Sequence, residues 1–425
     1  MAAVADSALR RNVACPFCGL ACDDLTIAVA DGRVSVREAG CALSREGFER
    51  APSDATPLVG GQAASLDEAV AAAAEILRRS RQPLFAGLAT DVAGLRAVMQ
   101  LAERTGGIVD HLGSDGLFRN LRVVQDSGWM TTTLSEVRNH MDLLLIVGPD
   151  PTPLFPRFFE RCVAPRQTLF TDARQPPPVI RLGPPPEAGA DVRAEEIPCA
   201  LERLPEAVAA LRCLIGDRPL QAANVAGLPA ARLSALAERL KAAAYGVVAW
   251  MAGAFAFTGA ELLTQALADL VRDVNQVTRC AALPLTGTDN VMGAHQVCTW
   301  QSGVPLRSSF AGGAPSHDPL LYGTARLLAE REVDALLWIS SFRPLAPPAA
   351  DLPTIVLAAS PLRLERSPEV FIPVGTPGVD HAGEIFRTDG VVALPLTALR
   401  AGGRPSAADI LNRIDRTLAA QGIRS

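Results

Sequence analysis

The strongest constraint on the fold is a series of short, almost uninterrupted apolar runs. "DLLLIVG" (142–148) is the clearest, and "PLFAGL" (83–88), "GVVAWM" (246–251), "DALLWIS" (334–340) and "TIVLA" (354–358) share its pattern. A strand of this composition is buried on both faces, which is the usual condition of strands in a parallel sheet. The runs therefore predict an open α/β sheet.

Amphipathic helical segments alternate with these runs. Ser65 and Glu68 form a capping-box pattern at the start of one predicted helix, and Gly106 is the predicted end of the next. Further helices are predicted near 203–214, 228–243 and 259–274. Short additional strands are predicted at 108–110 and 168–172. Regular alternation of strand and helix is typical of α/β proteins.

The N-terminal segment carries cysteines at metal-ligand spacing. Cys15, Cys18 and Cys22 follow C-x2-C-x3-C, and a predicted hairpin with a "DG" turn returns the chain to Cys41. Thiolates are ligands of iron–sulfur clusters and of zinc. Three close cysteines with a distant fourth are more typical of a [4Fe–4S] cluster than of zinc. The alternative is four buried thiols that hold no metal. The remaining cysteines and the five histidines stand singly and are interpreted as structural.

Composition and missing motifs exclude several classes of protein. The 425 residues carry a net charge of −5, which argues against a nucleic-acid-binding protein. No apolar stretch is long enough to span a bilayer, and no signal-peptide pattern precedes the cysteines. Nine cysteines are too few for a secreted disulfide scaffold of this length. We therefore predict a cytoplasmic protein with neither nucleic acid nor membrane as partner.

The predicted organisation has four parts. They are a cysteine-cluster subdomain with its hairpin (1–58), an α/β lobe (59–175), a second α/β lobe (176–345) and a C-terminal segment that returns to the first lobe (346–425). The second lobe is entered through a proline-dense stretch (174–198), which predicts an irregular connection and excludes a helix.

Four stretches, in order along the whole chain, resemble the B subunit of formylmethanofuran dehydrogenase. They are "CPFCGLACDDL", residues 125–158, "TGTDNVMGAHQVCTWQSGVP" (286–305) and "EIFRTDGVVALPL" (384–396). The second of these looks like the family's segment that leads into its G-x-N-P-x-x-x-H-P-R stretch. The third is similar to the family's N-V-x-G-x-x-Q-V-x-T-W-x-x-G-x-P block, and the fourth to its Y-R-M-D-x-V-P-L motif. The matching residues of these two are Asn290, Val291, Gly293, Gln296, Val297, Thr299, Trp300, Gly303, Pro305, Arg387, Asp389 and Val391.

The resemblance implies the multi-domain α/β fold of molybdenum- and tungsten-pterin oxidoreductases, without their final β-barrel domain. It also implies that a cysteine or selenocysteine should hold the metal nine residues before Gln125. Gly116 stands at that position, and no cysteine lies between Cys41 and Cys162. We therefore expect no catalytic residue here, because loss of a metal ligand ends metal chemistry.

The pterin-binding stretch of the family is also altered. Asp150 stands at its Asn position and Phe155 at its His position. Both changes alter the polar groups that would hold the pterin. We therefore expect that the tungsten or molybdenum pterin is absent.

A chain of this family without its metal ligand is similar to the corresponding subunit of the formyltransferase/hydrolase complex of methylotrophic bacteria. The resemblance implies partners: a hydrolase A subunit, a C subunit and a formyltransferase subunit. Together they would convert formyl-tetrahydromethanopterin to formate through a methanofuran-like carrier. The leading hypothesis is a non-catalytic structural subunit, an inactive relative of the dehydrogenase, with a [4Fe–4S] cluster at the four cysteines or with none. The alternatives are an active dehydrogenase subunit and an electron-transfer module that uses the cluster.

Overall fold

The chain divides into two compact units. The computed structural model describes residues 8–164, 167–170, 176–185, 194–400 and 404–422. Unit 1 combines both ends of the sequence, 1–114 and 288–425, and unit 2 is the stretch between them, 115–287. In the described ranges no helix is both long enough and apolar enough to cross a membrane.

Most helices of the described chain are amphipathic, with one apolar face buried against a sheet or another helix. Their bounds are α1 Ala42–Phe48, α2 Leu66–Arg79, α3 Val92–Thr105, α4 Ser114–Ser127, α5 Leu134–His140, α6 Leu204–Ile215, α7 Ala230–Ala242, α8 Ala260–Val274, α9 Val291–Ser302, α10 Thr324–Ala329 and α11 Ala407–Ala420. The predicted capping box is confirmed, since Glu68 N donates to Ser65 Oγ (3.2 Å) and Ser65 N to Glu68 Oε2 (2.7 Å). Gly106 ends α3 with φ +67°, as predicted.

The strands vary from two-residue pairs at sheet edges to fully buried central strands. Their bounds are β1 Ala8–Val13, β2 Leu25–Ala30, β3 Arg33–Glu38, β4 Leu58–Val59, β5 Gln62–Ala63, β6 Pro83–Ala89, β7 Ile108–Val109, β8 Leu143–Val147, β9 Val179–Gly183, β10 Glu195–Pro198, β11 Asn224–Val225, β12 Leu228–Pro229, β13 Gly246–Trp250, β14 Cys280–Pro284, β15 Ser308–Ser309, β16 Ser316–His317, β17 Ala335–Ser340, β18 Thr354–Ala358, β19 Val370–Pro373, β20 Gly383–Phe386 and β21 Ala393–Leu396.

Unit 1 is built on a sheet of order β16-β15-β7-β6-β17-β18-β19-β4-β5. Its central strands, from β7 to β19, run parallel. From β6 the chain proceeds to β7 on one side, whereas from β17 it proceeds to β18 and β19 on the other. The carboxyl ends of β6 and β17 therefore form a topological switch point, where α/β sheets open a crevice for ligands. A three-stranded antiparallel sheet (β1-β2-β3) and the hairpin β20-β21 complete the strands of this unit.

Unit 2 is built on a parallel sheet of order β10-β9-β8-β13-β14, with its switch point between β8 and β13. Its core includes Trp250, whose indole Nε1 donates to Asn120 Oδ1 at 3.0 Å. Helices α6, α7 and α8 contribute most of the other apolar side chains of this core.

The observed division differs from the predicted lobes of 59–175 and 176–345. Strand β8 pairs with β13 and so belongs to unit 2, while β17 pairs with β6 and belongs to unit 1. An apolar run identifies a buried parallel strand but carries no information about its neighbour in the sheet. The strands were therefore recognisable from the sequence, whereas their grouping was not.

Two local predictions were wrong. The proline-dense stretch 174–198 was predicted to be an irregular connection without a helix. Its described residues contain no helix, but they form two strands, β9 and β10. Their prolines flank the strands or end them, where a missing N–H costs little. The strand predicted at 168–172 is not a strand at 168–170, and 171–172 lie outside the described residues.

Candidate functional site

The four predicted ligands belong to two neighbouring segments of unit 1. Cys15, Cys18 and Cys22 lie buried in the loop between β1 and β2, and Cys41, partly exposed, precedes α1. The Cys15 N–H donates to the Cys22 carbonyl at 2.7 Å, which closes the loop. The Cys41 sulfur accepts a hydrogen bond from the Ser44 N–H at 3.5 Å and so caps α1. Both segments are thus fixed by local hydrogen bonds.

The electrostatics of the loop indicate that the thiols lie near one another. Burial raises the pKa of the Cys15 thiol well above its ordinary value, and the neighbouring Cys18, Cys22 and Cys41 raise it further. Metal binding would remove this penalty, because a thiolate bound to a metal releases its proton. In the described part of the chain, however, no group of three or more His, Cys, Asp or Glu side chains is arranged to hold a metal ion.

The cysteine loop lies at the switch point of unit 1. Ala14 and Ala21 of the loop share an apolar cluster with Ala89, the last residue of β6, and with Phe342, just after β17. Within the same loop the Gly19 carbonyl accepts a hydrogen bond from the Thr388 N–H at 2.7 Å. The crevice that parallel sheets use for ligands is therefore filled, in this unit, by the loop that carries the cysteines.

Asn290, a residue of the family block, joins three parts of unit 1. Its side-chain Nδ2 donates to the Thr90 carbonyl (2.9 Å), and its Oδ1 accepts from the Phe386 N–H (2.9 Å). Asn290 adopts a left-handed conformation with φ +59°, which Asn tolerates better than most residues. A Cβ at Gly293 would lie 2.3 Å from Asn290 Oδ1. The Asn-x-x-Gly spacing of the block is therefore required by this packing.

The preceding residue, Asp289, is the centre of a buried ionic network. It is also left-handed, with φ +58°, and its carboxylate forms an ion pair with the Arg343 guanidinium. Thr288 Oγ1 donates to Asp289 Oδ2 at 2.6 Å, and His111 Nε2 lies 3.0 Å from the Asp289 carbonyl oxygen. In the C-terminal motif, Arg387 pairs with the buried Asp389 at 2.6 Å. Together with the bond from Phe386 N–H to Asn290, these contacts link the turn before α9 to Arg343 and to the end of β20.

His295, on the same helix α9, predicts a pH-dependent stability. Its Nδ1 is buried and has no hydrogen-bond partner in the described chain, and burial followed by the nearby His317 lowers its pKa from 6.5 to about 4. Below pH 6.5 the unfolded chain therefore binds a proton that the folded chain does not bind until about pH 4. Stability is lost as the pH falls through this window, by about 3 kcal/mol. Urea titrations between pH 7.5 and 4.5 should show a smaller loss for His295→Gln than for the wild type; equal losses would contradict this assignment.

The position expected for the tungsten or molybdenum ligand is closed. Gly116 lies in the first turn of α4, and a Cβ there would lie 2.7 Å from Gly253 N and 2.8 Å from Gly253 Cα. Arg119 of the same helix donates to the Ala252 carbonyl at 2.8 Å, which holds α4 against this turn. A cysteine side chain has no room at this position. Position 116 therefore does not fit a thiolate-bound tungsten or molybdenum.

The altered pterin-binding stretch follows β8. Asp150 Oδ1 accepts hydrogen bonds from Thr152 N (3.0 Å) and Thr152 Oγ1 (2.7 Å), so its carboxylate stabilises the turn in which it lies. Phe155 is fully buried. Gly148, which ends β8, packs against Phe255, whose ring would lie 2.8 Å from an added Cβ. At the switch point of unit 2, buried aromatic side chains such as Phe155 thus stand where the family motif has polar residues.

Comparison with known proteins first defines the class of fold. No family model matches the chain. Acetylene hydratase from Pelobacter acetylenicus has a similar structure over 97% of this chain and 70% of its own, with a TM-score of 0.61 and 10% identity. At this identity the likeness concerns the fold alone. The chain is therefore a mixed α/β protein whose fold is similar to that of this hydratase.

Sequence similarity then identifies the family. The B subunit of the formyltransferase/hydrolase complex Fhc of Methylorubrum extorquens is 32% identical over 373 residues, 86% of this chain and 98% of that protein. The B subunit of tungsten-containing formylmethanofuran dehydrogenase 2 of Methanocaldococcus jannaschii is 28% identical over 401 residues, 90% of this chain and 92% of that protein. The chain belongs to the family formed by the B subunits of formylmethanofuran dehydrogenases and Fhc complexes, which confirms the predicted family.

One solved structure extends this comparison. A chain in the crystal structure of the formyltransferase/hydrolase complex (FhcABCD) from Methylorubrum extorquens, in complex with methylofuran, matches with a TM-score of 0.74 and 30% identity. The match covers 87% of this chain and 100% of that chain.

Proposed function

We propose that the chain is a non-catalytic structural subunit of a formyltransferase/hydrolase complex. Its partners would be a hydrolase A subunit, a C subunit and a formyltransferase subunit, and the assembly would convert formyl-tetrahydromethanopterin to formate through a methanofuran-like carrier. The match to 98% of the Fhc relative supports the assembly. The observation that carries the non-catalytic role is the contact of Gly116 with the Gly253 backbone.

The chemistry of the proposed assembly is consistent with a subunit that has lost its redox site. A formyl group and formate have the same oxidation level, so hydrolysis of one to the other transfers no electrons. A dehydrogenase subunit in such an assembly can lose its metal ligand without stopping the reaction. Its surfaces would still be needed to hold the other subunits together.

We further propose that Cys15, Cys18, Cys22 and Cys41 hold a [4Fe–4S] cluster with a structural role. The C-x2-C-x3-C spacing with a distant fourth cysteine is more typical of such a cluster than of zinc. Cys15 also interacts electrostatically with Cys18, Cys22 and Cys41. When bound, the cluster would supply iron–thiolate bonds that link the loop before β2 to the start of α1. A cytoplasmic location is proposed with it, because a reducing compartment keeps thiols available.

One preparation tests both proposals. The complex is purified without oxygen, its iron, sulfide, tungsten, molybdenum and zinc are measured, and dye-linked oxidation of formyl carriers is assayed. We expect about four irons and four sulfides per chain, no tungsten or molybdenum, and no dye reduction.

Two variants complete the test. Cys15→Ser is expected to lose most of the iron, whereas Cys213→Ser, a single cysteine on α6 of unit 2, should retain it. Dye reduction with tungsten or molybdenum near one per chain would contradict the non-catalytic role. A complex that contains no iron would contradict the cluster but leave the structural role standing.

A further inference from the structure

The C-terminal end of α9 is exposed and uncharged. From Asn290 to Leu306 the sequence contains no Asp, Glu, Lys or Arg, although these residues make up 20% of the chain. Within this stretch residues 299–301 and 303 are exposed, and 304–305 are half-buried. A helix face in contact with water normally carries charged and polar side chains. The end of α9 therefore lacks the usual composition of a solvated face.

Trp300 is the largest apolar side chain of this exposed end. It is 53% exposed, whereas Trp250 and Trp338 are buried and Trp129 is half-buried. Its ring packs against that of Phe386 in β20, with the ring centroids 5.8 Å apart. This contact holds the indole on one side and leaves the rest of it in water. A large rigid aromatic side chain that is held in this way can anchor a partner at little cost in conformational entropy.

A stripe of side chains on α9 extends from Trp300 to the turn of the hairpin β20-β21. Met292, Gln296 and Trp300 are spaced four residues apart and so lie on one face of the helix. A Cβ added at Gly390, in that turn, would lie 2.8 Å from Met292 Cε and 3.6 Å from Gln296 Nε2. The next residue, Val391, is 63% exposed. We name residues 299–301, 303 and 391 the charge-free surface.

The charged residues that adjoin this surface in the sequence are mostly hidden. Arg307 is 12% exposed and pairs with the buried Asp110. In the hairpin turn, Arg387 is 16% exposed and pairs at 2.6 Å with Asp389, which is 1% exposed. Glu384, two residues before Phe386 on β20, is exposed. Ion pairing within unit 1 thus neutralises the adjoining charges other than Glu384.

The fold explains several residues of the family motifs but not Trp300 or Val391. Asn290 and Gly293 are required by the packing described above, and Gly303 ends α9 with φ +78°, a conformation that favours glycine. Trp300 and Val391 belong to the same motifs but lie mostly in water. Exposed apolar residues of a family motif are typical of binding surfaces.

We propose that the charge-free surface, with Trp300 as its anchor, binds an uncharged apolar surface of another subunit, an inference that rests on the assembly proposed above. The core of a protein interface is depleted of charged residues and enriched in Trp and Met. The missing charge also selects the occupant. A charged group of a partner would lose its water here and gain no counter-charge, which disfavours nucleic acid, charged lipid headgroups and acidic or basic peptides.

Residue-specific labelling tests whether the surface is covered. Hydroxyl-radical labelling, read by mass spectrometry, is applied to the isolated full chain and to the purified complex. In the isolated chain Trp300 should be labelled far more than the buried Trp250. In the complex its labelling should fall to the level of Trp250.

Substitutions test whether the covered surface contributes affinity. The dissociation constant is measured by titrating the chain into the remaining subunits of the complex. Trp300→Glu should weaken binding at least about 30-fold, Val391→Glu should also weaken it, and Trp300→Phe should retain most of the affinity. The matched control is Leu262→Glu, an apolar residue of α8 that is 68% exposed and lies beside Glu261. It should bind within about twofold of the wild type.

The possible outcomes separate this inference from the proposed function. A complex in which Trp300 remains fully labelled, or which Trp300→Glu forms with wild-type affinity, would overturn this inference alone. The same follows if Leu262→Glu weakens binding as much as Trp300→Glu. Protection of Trp300 in the isolated chain that increases with its concentration would identify a second copy as the occupant and overturn the inference. A wild-type chain that binds none of the proposed subunits would overturn the proposed function and this inference with it.

Discussion

Asn290→Ala is expected to lower the free energy of unfolding by about 4 kcal/mol, because it leaves two backbone groups unpaired and places Ala in a left-handed conformation. The wild-type side chain hydrogen-bonds the Thr90 carbonyl and the Phe386 N–H, both at 2.9 Å. Alanine can replace neither bond. Urea-induced unfolding of the full chain, followed by circular dichroism, measures the loss.

Two other variants separate the causes of this loss. Asn290→Gly removes the same hydrogen bonds but accepts φ +59° without strain, so it should recover about 1 kcal/mol. Asn412→Ala, an exposed asparagine in the middle of α11, is the matched control and should lie within about 0.5 kcal/mol of the wild type. An Asn290→Ala chain as stable as this control would show that the side chain does not hold the three segments together.

Gly116→Cys, which puts a thiol at the position where the sequence resemblance implies a metal ligand, is expected to destabilise the chain by about 3 kcal/mol. It should also gain no dehydrogenase activity. The added Cβ would lie 2.7 Å from Gly253 N, and backbone of this kind cannot move aside as the end of a long side chain can. The measurement is the unfolding midpoint of the full chain, with tungsten analysis of the variant complex.

The control variants for Gly116 separate the steric clash of an added Cβ from the effect of the residue type. Gly116→Ala should be almost as destabilised, although Ala is favoured over Gly in a helix by about 1 kcal/mol. Gly216→Ala, at the end of α6 in the same unit, adds a Cβ whose nearest neighbour is 3.5 Å away. It should change stability by less than about 0.5 kcal/mol. A Gly116→Cys complex that folds like the wild type and retains tungsten would mean that the position is open and the metal site recoverable.

The elements of the fold that could be predicted from the sequence are those with local signals. The Ser65 capping box, the Gly106 helix end and the hairpin between β2 and β3 each depend on residues a few positions apart. The order of strands in each sheet depends on partners far away in the sequence, such as β6 with β17, and nothing in either strand identifies the other. Sequence reasoning therefore identified the strands and missed their grouping into two units.

The residues of the candidate site also fall into those that the sequence could identify and those that it could not. Cysteine spacing pointed to Cys15, Cys18, Cys22 and Cys41, and comparison of motifs pointed to Gly116, because these are features of residue type and position. Phe342 carried no such signal, since its importance comes from packing against Ala14 and Ala21, which lie far away in the sequence. The one usable signal was Asp289-Asn290 before α9: both residue types tolerate a left-handed backbone, which suggests an unusual turn but not its partners.

The interrupted sequence of unit 1 has a consequence for how the protein is made. The cysteine loop is synthesised long before Phe342, which packs on Ala14, and before Thr388, which hydrogen-bonds Gly19. At about 5–20 residues per second this delay is on the order of tens of seconds. Throughout that time the cysteine loop lacks its packing against Phe342 and its hydrogen bond to Thr388. Synthesis of the segments around Phe342 and Thr388 therefore determines when the cysteine loop reaches its final packing in unit 1.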